Sequence, residues 1–317
     1  MTVTRLFFTT DIHGSEKCFR KFVNAGKFYD AKVLILGGDI TGKMVIPVID
    51  QGDGTYSCNF LGSEMRLRSK KELDDTVRNI RDAGYYAYMS NPNEVEELQN
   101  DKAKVEGLFE RLMSESIDHW VQFARERLAG TGIRCYISPG NDDIFAIDTH
   151  LTDSEPVFNP ERKVVMIDDR HEMITLGYTN PTPWKSPREV DEGNLENLLE
   201  ELCSKVRNMN ECIFNTHVPP IDTPIDKAPA LDPSFRPIVK DGHIQYTNAG
   251  SGAMRKIIEK YQPLVGIHGH IHESKGMVKV GKTICFNPGS EYTEGVLRGL
   301  ILDLENSKIK NHLFTSG

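Results

Sequence analysis

Short apolar runs that end in polar or glycine-rich tips recur along the chain and set its rhythm. Residues 3–9 read as a strand running straight into Asp11-Ile12-His13-Gly14. From Ser15 to about Lys27, Cys18, Phe19, Phe22 and Val23 fall at helical spacing, which predicts an amphipathic helix. K-V-L-I-L-G-G-D over 32–39 is continuously apolar, the pattern of a strand covered on both faces, and it ends in a polar tip. Further runs predict strands at 133–138, 163–167, 172–177, 211–216, 263–268 and 283–287. Helical spacing returns at 195–206, through Leu195, Leu198, Leu199, Leu202 and Val206, and again at Met254, Ile257, Ile258 and Tyr261. Strands alternating with helices predict a layered α/β fold, with β-sheets flanked by helices.

Residues 44–129 break this rhythm. M-V-I-P-V-I-D-Q-G-D-G-T-Y-S-C-N-F predicts a hairpin turning at Gly-Asp-Gly. Two charged helical stretches follow, near 69–83 and 93–128, separated by S-N-P-N. A block of this kind between two core strands reads as a cap inserted within a single domain spanning 1–317. The segment 218–248, with six prolines, reads as a long ordered loop.

Composition narrows the class. With 317 residues, 38% hydrophobic and 26% charged, the chain is globular in character. A net charge of −8 gives no overall basic field, which disfavours nucleic acid and anionic membranes as partners. No apolar stretch approaches the roughly 18 residues of a membrane span. The first residues do not match a secretory leader, so a cytoplasmic location is expected. The six cysteines form no C-x-x-C pair and mostly sit in apolar runs, which predicts buried free thiols.

The candidate chemistry lies at the ends of the predicted strands. Five motifs sit there: D-I-H-G (Asp11, His13), G-G-D (Asp39), G-N-D (Asn141, Asp142), T-H-V-P-P (His217) and G-H-I-H (His270, His272). Taken singly, each is a common turn or strand end. Taken together they point to one crevice, because loops at the carboxyl ends of strands converge in α/β sheets. Carboxylate, imidazole and amide oxygen are ligands that suit Mn, Fe or Zn. Seven of them exceed what one ion needs and fit two ions sharing a carboxylate. In G-I-H-G-H-I-H-E-S (266–274) the three histidines alternate, so in an extended strand all three rings would share a face.

In wording and order these motifs resemble the calcineurin-like metallophosphoesterases, whose signature runs D-x-H, G-D, G-N-H, a single His and G-H-x-H. The resemblance covers the chain outside 44–129, and T-H-V-P-P, G-H-I-H-E-S and N-P-G-S (287–290) resemble phosphodiesterase-like members in particular. It implies a layered metallophosphoesterase fold and two bound transition-metal ions. Asp11, His13 and His272 would hold the first ion, and Asn141, His217 and His270 the second, with Asp39 bridging them. The implied activity is hydrolysis of a small-molecule phosphoester, diesters before monoesters, by a metal-bridging hydroxide positioned by Asp39, with Asn141 also at the reacting phosphate. A catalytically silent protein-binding scaffold on the same fold is the alternative; loss of ligands would favour it, and all seven positions are filled.

One departure stands out. Where the family has G-N-H, this chain has Gly140-Asn141-Asp142, followed by Asp143. An aspartate beside two cations would be held ionised, making it a poor proton donor and a repellent neighbour for phosphate. Alternatively, Asp142 turns away into a hydrogen bond. His268 matches no implied ligand and reads as a packed or ligand-orienting imidazole. In G-Y-T-N-P-T-P-W (177–184), Tyr178 and Trp184 are candidates to stack on a substrate ring.

Overall fold

The computed structural model describes residues 3–317. The first half runs β1 (Thr4–Thr9), α1 (Glu16–Phe28), β2 (Val33–Gly37), β3 (Val45–Asp50), β4 (Tyr56–Phe60) and β5 (Ser63–Leu67). It continues through α2 (Lys70–Asp82), β6 (Tyr86–Ser90), α3 (Pro92–Asn100), α4 (Lys102–Leu128), β7 (Arg134–Ser138) and β8 (Val157–Phe158). The second half contains β9 (Val164–Met166), β10 (Glu172–Leu176), α5 (Glu192–Cys203) and β11 (Cys212–Thr216). Next come β12 (Lys227–Pro229), β13 (Val239–Lys240), β14 (His243–Ile244), β15 (Tyr246–Asn248) and α6 (Gly252–Tyr261). The chain closes with β16 (Val265–Ile267), β17 (Gly276–Val280), β18 (Thr283–Asn287), β19 (Arg298–Glu305) and β20 (Lys308–Ser316).

Two six-stranded mixed sheets carry the fold, in the orders β20-β19-β1-β2-β7-β8 and β17-β18-β16-β11-β10-β9. Parallel pairs β1–β2–β7–β8 and β10–β11–β16–β18 form their centres. Alternation along the strands explains the layers. Leu6 and Phe8 of β1 join Val33 and Ile35 of β2 against Met173, Ile213, Val265 and Phe286 of the other sheet. Phe7, Leu34 and Leu36 point the opposite way, into a cluster with Phe19 and Phe22 of α1 and Ile117, Trp120 and Ala124 of α4. On the far side Ile174 and Phe214 meet Leu195 and Leu199 of α5 and Met254 and Ile257 of α6. The result is helices, sheet, sheet, helices: an α/β fold in which both faces of each central strand are covered, as their unbroken apolar runs predict. Each large apolar side chain fully buried in these layers contributes about 1.5–3 kcal/mol.

The helix after β1 forms as expected, with Ser15 accepting the backbone N–H of Cys18 as its cap. The 93–128 stretch is two helices, because Asp101 ends α3 and caps α4 through the N–H of Lys104. The 44–129 segment also divides. β3 to β6 form a small sheet in the order β5-β4-β3-β6, closed over Ile46, Val48, Cys58 and Leu67 with Ile80 of α2. The second half of α4 packs instead into the main layers, with Trp120 stacked on Phe19 at 4.2 Å between ring centroids. The proline-rich 218–248 stretch contains two short ladders, β12–β15 and β13–β14. All six cysteines are buried free thiols. Among the described residues no helix is long and apolar enough to cross a membrane.

Candidate metal centre

Five loops meet at one end of the two sheets. The loops after β1, β2 and β7 bring Asp11, His13, Asp39, Asn141 and Asp142 from the first sheet. Those after β11 and β16 bring His217, His270 and His272 from the second. Two groups result whose ligand atoms lie within 4.8 Å of one another: Asp11, His13 and His272 in one, Asp39, His217 and His270 in the other. A third overlapping group joins His13, Asp39 and Asp142. His13 Nε2 is 3.1 Å from His272 Nε2 and 3.8 Å from Asp39 Oδ2, and His217 Nε2 is 3.4 Å from Asp39 Oδ2. Asp39 therefore stands between the groups.

Several features show that these residues fit cations. Among the described residues only five buried side-chain atoms lack a hydrogen-bond partner, and three belong here: His13 Nδ1, Asn141 Oδ1 and His217 Nε2. His217 Nδ1 donates to the Gly37 carbonyl at 3.0 Å, which fixes the ring and turns Nε2 toward the carboxylates. Burial alone pushes His217 down, but Asp39 and Asp11 beside it raise its pKa to about 10, so the pocket draws positive charge. Burial, with Asp142 and Asp11 nearby, lifts Asp39 to about 6 against the pull of His217. Asp11 is held well below the usual carboxylate range: burial pushes it up, and His217, His272 and His13 together outweigh that. His270 is depressed to about 3 by burial and by neighbouring His217.

The backbone at the centre is unusual. Asp11, His13, Asp39 and His270 all have positive φ, at 54°, 38°, 50° and 67°, the left-handed region that non-glycine residues seldom adopt. Close approach explains two glycines. A Cβ on Gly140 would lie 2.3 Å from Asp39 Oδ1, and one on Gly269 would lie 2.1 Å from Thr10 Oγ1 and 2.4 Å from Asp11 Oδ2. The N-P-G-S segment braces the same turn. Asn287 donates to the Ile271 carbonyl at 2.9 Å, and Ser290 donates its hydroxyl to the Asp11 carbonyl at 2.6 Å.

The histidine run is not a continuous strand, as an extended reading of its alternation would have it. β16 stops at Ile267, and the left-handed His270 turns the chain, so His270 and His272 face different groups. His268 is fully buried and points away, its Nδ1 donating to the Thr216 carbonyl at 2.9 Å. Its ring fills the space a side chain on Gly266 would need.

Asp142 is both hydrogen-bonded and partly open to solvent. Its Oδ2 pairs with Lys43 Nζ at 2.7 Å, and its Oδ1 accepts from Ser186 Oγ at 2.6 Å and Asn141 Nδ2 at 3.2 Å. Its backbone N–H donates to Asp39 Oδ1 at 2.9 Å. Burial raises its pKa, but Lys43 and Ser186 outweigh that and bring it to about 2, so it is anionic without help from any ion. Tyr178 is not brought to this cluster; it is half-buried against the α5 layer, its ring 6.4 Å from that of Phe145. Trp184 is exposed and stacks on Phe235 at 6.4 Å.

Four contributors carry no motif. Lys43 and Ser186 hold Asp142. Tyr292 lays its ring 4.8 Å from His13. Asp143, fully buried, accepts the N–H groups of Ile40, Thr41 and Gly140 at 3.0, 2.8 and 2.7 Å, and the Thr41 hydroxyl at 2.5 Å. It ties the Asp39 loop to the Asn141 loop. The doubled aspartate after Asn141 is its only trace in the sequence.

No family model matches the chain. An uncharacterized protein of Methanocaldococcus jannaschii is 33% identical over 152 residues, 47% of this chain and 61% of that protein. The match thus spans about three-fifths of the relative's length. One solved structure, 17% identical, covers 100% of this chain and 99% of its own at a TM-score of 0.61. The structure of TT1561 of Thermus thermophilus, 14% identical, covers 100% and 99% at 0.50. At these identities the likeness shows a shared fold.

Proposed function

We propose that this chain is a calcineurin-like metallophosphoesterase that holds two transition-metal ions and hydrolyses small phosphoesters, phosphodiesters in preference to monoesters. The observation that carries the reading is the paired arrangement of Asp11, His13, His272 and Asp39, His217, His270, with Asp39 between the two groups. The orphaned Asn141 Oδ1 gives the second group a neutral oxygen and keeps the centre more positive toward an anionic substrate. When bound, such a pair of ions supplies Lewis acidity to phosphoryl oxygens and acidifies a water molecule.

The chain's own residues do the rest. Asp39, fixed by the Asp142 N–H, aligns the two groups with each other. Ser290 and Asn287 hold the turns that present Asp11 and His270. The Asp142 carboxylate, ionised beside Asp39 and His13, is balanced by Lys43, so the pair brings no net positive charge to hold a second negative charge on the substrate. That favours diesters, with about one charge, over monoesters, with nearly two at neutral pH. The β3–β6 sheet springs from the loop that follows Asp39 and would shape access to the centre as a cap.

The test is elemental analysis of Mn-loaded protein together with hydrolysis of bis(p-nitrophenyl) phosphate and p-nitrophenyl phosphate. Two ions per chain and faster diester turnover are expected. One ion or fewer, or ions bound with neither ester cleaved, overturns the reading; the second result would leave a metal-binding scaffold.

A further inference from the structure

Asp142 stands where the resemblance implies a histidine, and a carboxylate there is a poor neighbour for phosphate. The structure supplies a cation beside it. Lys43 follows Asp39 by four residues, and its Nζ lies 2.7 Å from Asp142 Oδ2. A carboxylate oxygen of Asp142 in turn lies within 4.8 Å of ligand atoms of His13 and Asp39. The lysine side chain is 48% exposed and that of Asp142 25%, so the pair sits on the open rim of the centre. Of the three ammonium N–H groups, one is turned to Asp142, which leaves donors free toward the rim.

This lysine does not hang on a loose loop. The residue before it, Gly42, donates its N–H to Tyr86 Oη at 2.9 Å, and Thr41 is bound twice by Asp143. Asp142 is fixed on its other side by Ser186. An exposed Lys–Asp pair contributes little to stability, so folding alone gives weak reason for so constrained an arrangement. Preorganised charge at a site that receives an anion does give one.

We propose that Lys43 is a substrate-contacting residue of this centre, its ammonium taking a non-bridging phosphoryl oxygen while Asp142 holds it in place. The proposal rests on the phosphoesterase reading. Lysine and aspartate together deliver a donor with no net charge, where a lone aspartate would only repel. Removing Lys43 both withdraws the donor and uncovers the Asp142 charge, so a dianionic phosphate suffers more than a monoanionic one.

The experiment compares Mn-loaded wild type with Lys43→Met, Lys43→Arg and Asp142→Asn, reading metal content, orthophosphate binding by calorimetry, and kcat/KM for a p-nitrophenyl diester and monoester. Lys43→Met is expected to keep both ions, to bind orthophosphate at least tenfold more weakly, and to lose at least tenfold more monoester than diester kcat/KM. Lys43→Arg restores most of both, and Asp142→Asn binds orthophosphate at least as tightly as wild type. Lys43→Gln serves in the same comparison if the methionine variant does not fold. Unchanged orthophosphate binding in Lys43→Met, or equal losses on both esters, overturns the proposal and leaves Lys43 as a support for Asp142. Wild type that binds two ions and orthophosphate but cleaves neither ester refutes the phosphoesterase reading instead, and the orthophosphate comparison still decides Lys43.

Discussion

Asp143 offers the sharpest test of how the centre is held. Its buried carboxylate accepts three backbone N–H groups and one hydroxyl, from both the Asp39 loop and the Asn141 loop. Asp143→Ala leaves those three N–H groups without partners. At about 1–3 kcal/mol for each orphaned buried donor, the nominal cost is about 3–9 kcal/mol. Water admitted to the vacated space holds it to the lower part of that range, about 3–5 kcal/mol. Asp143→Asn keeps one acceptor oxygen for Thr41 but turns an NH₂ toward the N–H groups of Ile40 and Gly140. Two N–H groups left without an acceptor, taken like the alanine case at the lower part of their range, put its cost at about 2–4 kcal/mol. For a chain of this size, a kcal/mol lowers Tm by about 2 °C. The alanine variant should therefore melt about 6–10 °C below wild type and the asparagine variant about 4–8 °C below. Melting is followed in chelator at one scan rate, so that bound metal does not mask the loss. Metal titration of the same variants should show the Asp39–His217–His270 group weakened, because its loop is what Asp143 pins. Variants that melt within about 2 °C of wild type would refute the assignment of Asp143 as the bracket between the loops.

Three further outcomes are expected. His217→Ala should lower metal content to about one ion per chain, whereas Asp39→Asn should weaken both ions, since Asp39 stands between the groups; elemental analysis separates these, and independent loss would remove Asp39 from the shared position. Gly269→Ala forces a methyl against Thr10 and Asp11, and should abolish high-affinity metal binding and lower Tm; wild-type metal content in that variant would show that the turn can shift. His171 is raised above its usual pKa: burial lowers it, but hydrogen bonds to Asp168 and to the Asn306 carbonyl prevail. The folded state thus binds the proton more tightly than the unfolded one, so this contribution to stability is full below about pH 6.5 and fades as pH rises through the raised value. The Tm gap between wild type and His171→Asn should narrow as pH climbs, and a gap independent of pH would count against a charged His171.

Much of this arrangement was legible because burial leaves a plain mark. β1, β2 and β11 read as strands since both their faces are covered, and α1 since only one of its faces is. The motif residues read as a group because each follows a strand that ends at the same edge. The final hairpin, β19 and β20, carried no strand expectation, although Arg298–Glu305 pairs directly with β1. Its seat beside the first strand is a long-range fact that a local window does not hold. Lys43, Ser186 and Asp143 escaped for a related reason. A lysine, a serine and a second aspartate are ordinary surface residues in sequence, and they acquire roles only when separate loops place Nζ, Oγ and three N–H groups around two carboxylates. Tyr178 shows how local reading misplaces a side chain's main contacts: an aromatic in a loop near the motifs packs on the helix layer, where apolar area is available to it.

The division of the centre between two sheets bears on when it can come into being during synthesis. The carboxylates and the asparagine emerge early, from the loops after β1, β2 and β7, while two of the imidazoles arrive in the turn after β16. Asp11 and His270, joined through a backbone N–H, are 259 residues apart. Even then β1 is paired on one side only, with β2, until residues 298–305 pair with its other edge. A nascent chain with its first 150 residues exposed displays only the half of the centre built from Asp11, His13, Asp39, Asn141 and Asp142, with no partner sheet to set its geometry. On the proposed reading, the ions can be held in this arrangement only after the second sheet and the β19–β20 hairpin have been made, so the emergence of that hairpin sets when metal loading starts.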